Sequence, residues 1–325
     1  MLGIILAAGK GTRMKSEKPK VLFEICGKSM INHILGLLNN LNIKNKAVIY
    51  GYKKNLVKNN INNKVVDFYE QEKQLGTGHA LMQVNLDKYD DKYVFIIPGD
   101  VPILDENRVS KFLKRAKKKG VDASILSTVV DDPHGYGRII RKKDFIKGIV
   151  EEKDATKKQK KINEINTGVY IIKRKYINKY LNEISNNNRQ NEYYLTDIFK
   201  NMIESGLKVD SFIYPEEKEC IGVNPRKDLF KAHQYSKKKI IEKLLDNGVT
   251  INNPSNLILN GDLNVSGDVE FIGNVIIEGN VTIKNNCRIG PNVHLKNCTI
   301  DNNQNISYKY IEEKKKKSFI VREGE

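Results

Sequence analysis

A six-residue periodicity in the last third of the chain constrains its fold more than any other feature. Mostly apolar residues recur at every sixth position from Leu259 to Leu295, and a second series runs from Leu263 to Thr299. Glycine keeps the same period from Gly261 to Gly279. Helices and ordinary strands have much shorter periods, whereas hexapeptide repeats form a β-helix with coils of about 18 residues. The pattern predicts a short left-handed parallel β-helix over residues 251–306, in preference to a meander of short strands.

The first half of the chain alternates short apolar runs with segments of helical periodicity. The predicted strands cover residues 2–8, 46–50, 65–69 and 93–97, and the predicted helices cover residues 29–41 and begin again at 78–84. Alternation of this kind indicates an α/β layered fold with a largely parallel sheet.

A helix is also predicted from Asn224-Pro225 to about Asp246. Asparagine suits an N-cap, proline suits the first helical position, and Gly248 suits the stop. The chain is thus expected to divide into an α/β domain (1–223), a helical linker (224–250), the β-helix (251–306) and a charged tail (307–325). The tail is expected to be frayed or disordered.

The composition argues for a protein that does not insert into membranes. The longest apolar runs fall well short of the ~18 residues that span a bilayer. The apolar start at residues 2–8 is too short for a signal peptide and follows no basic segment. The four cysteines form no Cys-x-x-Cys pair, which disfavours a disulfide framework or a zinc site. These features predict a cytoplasmic protein.

The net charge of +17 raises the possibility of nucleic-acid binding. However, the lysines are spread along the whole chain among asparagines, and no aromatic stacking platform is evident among the short lysine runs. Solvated lysine-rich surfaces are therefore the preferred interpretation, and no nucleic-acid partner is predicted.

The main chemical motif follows the first predicted strand. It reads Leu6-Ala7-Ala8-Gly9-Lys10-Gly11-Thr12-Arg13-Met14 and continues to Lys18-Pro19-Lys20. Small residues allow the backbone to approach a ligand closely, and backbone N–H groups in such loops bind phosphate oxygens. Arg13 and Lys20 add positive charge beside this loop. The spacing matches neither the dinucleotide-binding fingerprint nor the Walker A loop.

With this motif the chain resembles the sugar-1-phosphate nucleotidyltransferases, and seven further strings agree in the same order. With the hexapeptide repeat, the resemblance narrows to the bacterial N-acetylglucosamine-1-phosphate uridylyltransferases and covers about residues 1–305. The strings are Gln71-Glu72-Lys73-Gln74-Leu75-Gly76-Thr77-Gly78-His79-Ala80, Gly99-Asp100-Val101-Pro102, Gly135-Tyr136-Gly137-Arg138-Ile139, Val150-Glu151-Glu152-Lys153-Asp154-Ala155, Glu164-Ile165-Asn166-Thr167-Gly168, Asn191-Glu192-Tyr193-Tyr194-Leu195-Thr196-Asp197 and Gly222-Val223-Asn224.

The resemblance implies a Rossmann-like domain that transfers a uridylyl group from UTP to N-acetylglucosamine 1-phosphate. The product, UDP-N-acetylglucosamine, would serve peptidoglycan and lipopolysaccharide synthesis. Arg13 and Lys20 would be catalytic because they neutralise the triphosphate. Asp100 and Asn224 would hold Mg²⁺, although Asn224 could instead serve only as a helix cap.

The resemblance also assigns the substrate-binding residues. The uracil and ribose would contact Leu6, Ala7, Ala8, Gly9, Gln71, Gly76 and Thr77. The N-acetyl sugar would contact Gly137, Glu151 and Asn166, with Lys20, Gly99, Asp100 and Asn224 near the phosphates. His79 is interpreted as structural, because the attacking sugar phosphate is already an anion and needs no base.

The chain departs from these relatives in length. They continue through more β-helix coils, which carry an acetyltransferase site, so acetyltransferase activity is expected to be absent. A homotrimer held by the β-helix is expected by analogy. Two alternatives remain: another sugar-1-phosphate nucleotidyltransferase, or a non-catalytic trimeric assembly protein.

Overall fold

The computed structural model describes residues 1–61 and 65–313. These residues divide into two compact units. The first unit comprises residues 1–23 and 29–232, and the second comprises residues 24–28 and those from 233 onward. The expected disordered tail lies mostly outside the described residues. None of the described helices is both long and apolar enough to cross a membrane.

The helices follow the predicted α/β alternation closely. They are α1 Met30–Asn40, α2 Lys54–Asn60, α3 Thr77–Met82, α4 Glu106–Lys119, α5 Arg174–Leu181, α6 Asp197–Glu204, α7 Glu217–Cys220 and α8 Arg226–Asp246.

The strands form one large sheet in the first unit and short ladders in the second. The strands are β1 Leu2–Ala7, β2 Glu24–Ile25, β3 Lys28–Ser29, β4 Lys46–Tyr50, β5 Asp67–Glu70, β6 Tyr93–Pro98, β7 Ala123–Val129, β8 Arg138–Lys142, β9 Phe145–Val150, β10 Glu164–Lys173, β11 Val209–Ile213, β12 Thr250–Ile251, β13 Leu257–Val265, β14 Val269–Phe271, β15 Val275–Ile283, β16 Cys287–Ile289, β17 Val293–Lys296, β18 Thr299–Ile300, β19 Asn305–Ile306 and β20 Lys309–Glu312.

The large sheet has the strand order β11-β7-β10-β6-β1-β4-β5, with β8 and β9 attached at β10. Strand β1 lies parallel to both β4 and β6, and β4 lies parallel to β5. Strand β10 is inserted antiparallel between β6 and β7. The predicted α/β fold is confirmed, and β10 makes the sheet mixed. The strand order reverses at β1, which is where open α/β sheets bind ligands.

Both faces of this sheet are covered by apolar side chains. In β1, Ile5 belongs to one core cluster, whereas Leu2 and Ile4 belong to the other. In β6, Phe95 and Val94 divide in the same way. Because side chains alternate across a strand, this division places one apolar layer on each face. It explains why β1 and β6 are continuous apolar runs in the sequence.

The second unit contains the predicted parallel β-helix. Strand β13 pairs with β15, and β15 with β17, with partners 18 residues apart, as in Leu257↔Val275↔Val293. The hexapeptide prediction is therefore confirmed. The ladder continues beyond Ile306, because β20 pairs with β17 through Val293↔Lys309. The paired residues are closer in sequence here than in the earlier pairs, so the six-residue periodicity did not predict this strand.

Candidate active site

A cavity of about 370 Å³ opens at the carboxyl ends of β1 and β6 in the first unit. Its size is within the usual range for small-molecule sites. Eleven of the residues predicted from the sequence line it: Leu6, Ala7, Ala8, Gly9, Lys20, Gln71, Gly76, Thr77, Asp100, Glu151 and Asn166. Four predicted residues do not: Arg13, Gly99, Gly137 and Asn224.

Gly99 holds the end of β6 close to β1. Its N–H donates to Leu6 O at 2.8 Å. A Cβ at this position would lie 2.7 Å from Val21 Cγ1 and 3.0 Å from Leu6 O. Because real Cβ atoms do not approach other atoms so closely, only glycine lets the two strand ends meet here. Gly99 thus shapes the cavity without lining it.

Two oxygen atoms converge on the Lys20 ammonium. Lys20 forms an ion pair with the Asp100 carboxylate through Oδ2, and Lys20 Nζ also donates to Asn224 Oδ1 at 3.0 Å. Arg13 donates to the same Asn224 oxygen at 2.7 Å. The structure therefore brings together the four residues that the sequence assigned to charge neutralisation and metal binding.

The Asn224 amide has a defined orientation. Its Nδ2 donates to Gly222 O at 3.2 Å, and because a carbonyl only accepts, its Oδ1 must face the cations. The helix α8 begins two residues later, at Arg226. Arg13 and Asn224 also line a second cavity, of about 390 Å³.

Gln71 is the most enclosed polar residue of the cavity, with only 3% of its surface exposed. It follows β5, and its backbone N–H donates to Tyr50 O at 2.8 Å. Its side-chain Nε2 lies 3.0 Å from Gly76 O and 3.0 Å from His79 Nδ1. The amide is therefore held by Gly76, which precedes helix α3, and by His79 within that helix.

Glu151 and Asn166 form a second polar group in the same cavity. Thr196 donates its hydroxyl to Glu151 Oε1 at 2.9 Å. Burial raises the pKa of the Glu151 carboxyl above its ordinary value. Gly137 lies beside both residues, and its O accepts the Asn166 N–H at 2.8 Å. A Cβ at Gly137 would lie 3.3 Å from Glu151 Oε2 and 3.5 Å from Asn166 Cβ, so the three residues that the resemblance assigns to the sugar are neighbours.

The Asn166 side chain is also fixed by its neighbours. Its Nδ2 lies 2.7 Å from the Tyr170 hydroxyl, and its Oδ1 accepts the Gly168 N–H at 3.1 Å. Burial raises the pKa of Tyr170, so its hydroxyl stays neutral.

Sequence reasoning missed Thr196 and Tyr170. Both occur in or beside strings that carried the resemblance, but no spacing rule relates Thr196 to Glu151 or Tyr170 to Asn166 as partners across the cavity. Gln74, Glu192 and Leu195 also line the cavity without having been predicted.

Within residues 1–61 and 65–313, no group of three or more His, Cys, Asp or Glu side chains could hold a metal ion.

Comparison with known proteins gives a consistent result. The family model for nucleotidyl transferases matches residues 2–220. The bifunctional protein GlmU of Clostridioides difficile is 40% identical over 262 residues, which cover 80% of this chain and 57% of that protein. GlmU of Francisella philomiragia is 41% identical over 299 residues, covering 92% of this chain and 65% of that protein.

A third relative extends the match further along the chain. GlmU of Thermoanaerobacter pseudethanolicus is 37% identical over 312 residues, covering 96% of this chain and 68% of that protein. The chain thus spans only 57% and 65% of the length of the first two relatives.

Among solved structures, a Bacillus anthracis protein provisionally assigned as a glucose-1-phosphate thymidylyltransferase has a TM-score of 0.59 at 20% identity. The match covers 73% of this chain and 95% of that chain. At this level of identity the similarity shows a shared fold.

Proposed function

Because the chain belongs to the nucleotidyl transferase family and, within it, to the GlmU proteins, we propose that it transfers a uridylyl group from UTP to N-acetylglucosamine 1-phosphate. The products would be UDP-N-acetylglucosamine, a precursor for the cell envelope, and pyrophosphate. One observation carries the proposal: a single cavity holds a fixed amide, a paired cation and a carboxylate–amide group. The base, the phosphates and the sugar of this reaction need those three kinds of partner.

The base subsite would be formed by Gln71 and by the backbone around Leu6–Gly9 and Gly76. A uracil edge needs hydrogen-bond donors and acceptors in fixed positions. The buried Gln71 amide, held at 3.0 Å by Gly76 O, meets that need. Thr77 supports the same loop, because its Oγ1 accepts the Leu195 N–H at 3.1 Å.

The sugar subsite would be formed by Glu151 and Asn166. Sugar hydroxyls and the N-acetyl group exchange hydrogen bonds with carboxylate and amide side chains. Thr196 and Tyr170 hold these two side chains in place, so little ordering is needed when the sugar binds.

Chemistry at the phosphates would depend on charge and position. A phosphate oxygen of the sugar phosphate attacks the α-phosphorus of UTP in line, forming a new P–O bond. The bond from the α-phosphorus to the bridging oxygen breaks, and pyrophosphate leaves. Lys20 and Arg13 would bind and orient the phosphates and neutralise their charge. Since the nucleophile is already an anion, no side chain has to remove a proton.

We propose Mg²⁺ as the cofactor, held by Asp100 and Asn224. Their oxygen atoms, Oδ2 and Oδ1, already converge on one cation, the Lys20 ammonium, so their placement suits a positive ion. Oxygen ligands are those that Mg²⁺ prefers, and it commonly uses only one or two protein groups together with substrate phosphates and water. When bound, the ion would neutralise charge on the triphosphate.

We propose a homotrimer assembled through the β-helix. Its support is an outward column of large side chains, Ile258↔Ile276↔His294↔Tyr310, in which Ile258 is 43% and Tyr310 56% exposed. Sedimentation analysis at micromolar concentration should give a trimer, whereas a monomer at all concentrations would refute this assembly.

We also propose a cytoplasmic location, since the four cysteines are free.

A matrix of substrates tests the proposed reaction. Pyrophosphate release would be measured with UTP or dTTP as the nucleotide, and with N-acetylglucosamine 1-phosphate or glucose 1-phosphate as the acceptor. The highest kcat/KM should occur with UTP and N-acetylglucosamine 1-phosphate. Preference for glucose 1-phosphate would identify another sugar nucleotidyltransferase. Turnover with no pair would favour a non-catalytic protein.

A further inference from the structure

The Gln71 amide is the one polar group of the proposed base subsite whose orientation the structure defines from two sides. Its nitrogen lies 3.0 Å from Gly76 O and 3.0 Å from His79 Nδ1. A backbone carbonyl can only accept a hydrogen bond, so the atom facing Gly76 must be nitrogen and not oxygen. The second hydrogen of the same nitrogen is then directed to the histidine ring.

The hydrogen bond to His79 depends on the tautomer of the ring. Nδ1 can accept from Gln71 only when it carries a lone pair, as in the tautomer with its proton on Nε2. The contact from Nε2 to Gln83 Nε2 is longer, at 3.4 Å. We therefore assign the accepting role to Nδ1, which makes the shorter contact, at 3.0 Å.

The Gln71 carbonyl oxygen, Oε1, is left for a ligand. Both hydrogens of the Gln71 amide are used, and Oε1 takes part in none of the hydrogen bonds found among the described residues. The residue is 3% exposed and lines the cavity, so a ligand can reach this side chain from the cavity. An acceptor fixed there complements an N–H on the edge of a base.

We propose that His79 is a positioning residue that holds the Gln71 amide with Oε1 toward the base, and so favours uracil over cytosine. This inference rests on the proposed use of UTP. Uracil presents an N3–H donor, whereas cytosine has a lone pair at N3, which a fixed carbonyl oxygen repels. His79 contacts Gln71, not the substrate, and acts through it.

The histidine is itself well supported. It lies on α3, where Gln83 Nε2 donates to its backbone O at 2.9 Å, and its ring lies 6.3 Å from that of Tyr193. Without the Nδ1 acceptor, the buried Gln71 nitrogen would keep an unpaired hydrogen. Only the hydrogen bond to Gly76 O would then oppose rotation of the amide, which would present nitrogen to the base in place of oxygen.

Three substitutions separate positioning from simple packing. His79→Asn places an amide oxygen near the position of Nδ1 and should preserve the contact. His79→Gln places its oxygen nearer the position of Nε2, and His79→Leu has no acceptor. Thermal unfolding of each variant establishes that it folds. The dissociation constants for UTP and CTP are then measured by calorimetry with the whole 325-residue chain.

We expect His79→Leu and His79→Gln to bind UTP about tenfold more weakly and to lose about tenfold in preference for UTP over CTP. His79→Asn should stay near wild type in both. In turnover, the first two variants should raise KM for UTP more than they lower kcat.

Other outcomes overturn the inference. If His79→Leu bound UTP and CTP with the same affinities as the wild type, His79 would not control the orientation of the Gln71 amide. Loss of preference in His79→Asn as large as in His79→Leu would show that the ring matters for packing alone. Binding is measured without the sugar phosphate, so it does not depend on the proposed transfer reaction. A failure of that reaction would appear in the turnover assay alone, and the binding result could still be interpreted.

Discussion

The Lys20 ammonium is paired with the Asp100 carboxylate, eighty positions later in the chain, and both side chains are largely buried. Asn224 lies on the same ammonium, with its Oδ1 at 3.0 Å. A glycine-rich loop, a strand end and the start of a helix therefore meet at one point. The proposed neutralisation of phosphate charge depends on these three segments lying together.

Replacement of Lys20 should reduce turnover strongly. Lys20→Met removes a preorganised positive charge from the phosphate site, so kcat should fall about a hundredfold to a thousandfold. Lys238→Met is the matched control, because the Lys238 side chain is 74% exposed and its ion pair among the described residues is with Glu242, one helical turn away. A Lys20→Met variant with near-normal kcat would contradict the assigned role.

Replacement of Asp100 should change the response to metal. Asp100→Ala removes one of two proposed Mg²⁺ ligands, so half-maximal activity should require about tenfold more Mg²⁺. Binding of Mn²⁺, followed by electron paramagnetic resonance, should weaken in parallel. Unchanged Mg²⁺ and Mn²⁺ titrations would place the metal elsewhere.

Glu151 links stability to pH. Its folded-state pKa is raised, so the folded chain holds this proton more tightly than the unfolded chain, and stability falls as pH rises from the ordinary pKa to the raised one. Glu151→Gln has no proton to lose. Its free energy of unfolding should exceed that of the wild type at neutral pH, and the difference should shrink towards about pH 4.

The same substitution should damage the sugar subsite. We expect KM for the sugar phosphate to rise about tenfold, because a hydrogen bond to a charged group is lost. The exposed Glu183 provides the control Glu183→Gln.

The stability prediction has its own contrary outcome. If Glu151→Gln were less stable than the wild type at neutral pH, the carboxyl would be stabilising the fold in its ionised form.

The β-helix should be sensitive to side chains at its turns. Gly279 has φ +67°, and a Cβ there would lie 2.0 Å from Asn297 Oδ1, which accepts the Asn280 N–H. Gly248 has φ +86° but no atom within 4 Å of such a Cβ. Gly279→Ala should therefore cost about 2 kcal/mol more than Gly248→Ala in chemical unfolding. Equal costs would mean that Asn297 moves aside freely.

The fold was predictable where periodicity alone decides it. The hexapeptide phase located the β-helix because its apolar and glycine positions repeat together from Leu259 onward. Buried strands such as β1 were readable as continuous apolar runs. Strand β20 was not predictable in this way. Its residue Ile311 pairs with Leu295, but these partners are closer in sequence than the partners of the earlier coils.

The site was predictable in its residue types but not in its contacts. Resemblance identified Lys20, Asp100 and Asn224, yet their convergence depends on chain segments far apart in sequence. The partners of Glu151 and Gln71 were not predictable, because a threonine hydroxyl or histidine nitrogen becomes a partner only after folding. Short-range sequence patterns carry no information about such contacts.

The most direct test is detection of the sugar nucleotide itself. The purified chain would be incubated with UTP, N-acetylglucosamine 1-phosphate and Mg²⁺, and the products separated and identified by mass spectrometry. The proposed reaction should give UDP-N-acetylglucosamine and pyrophosphate in equal amounts, with far less product from Lys20→Met. Absence of UDP-N-acetylglucosamine from the wild-type reaction, or equal formation by Lys20→Met, would contradict it.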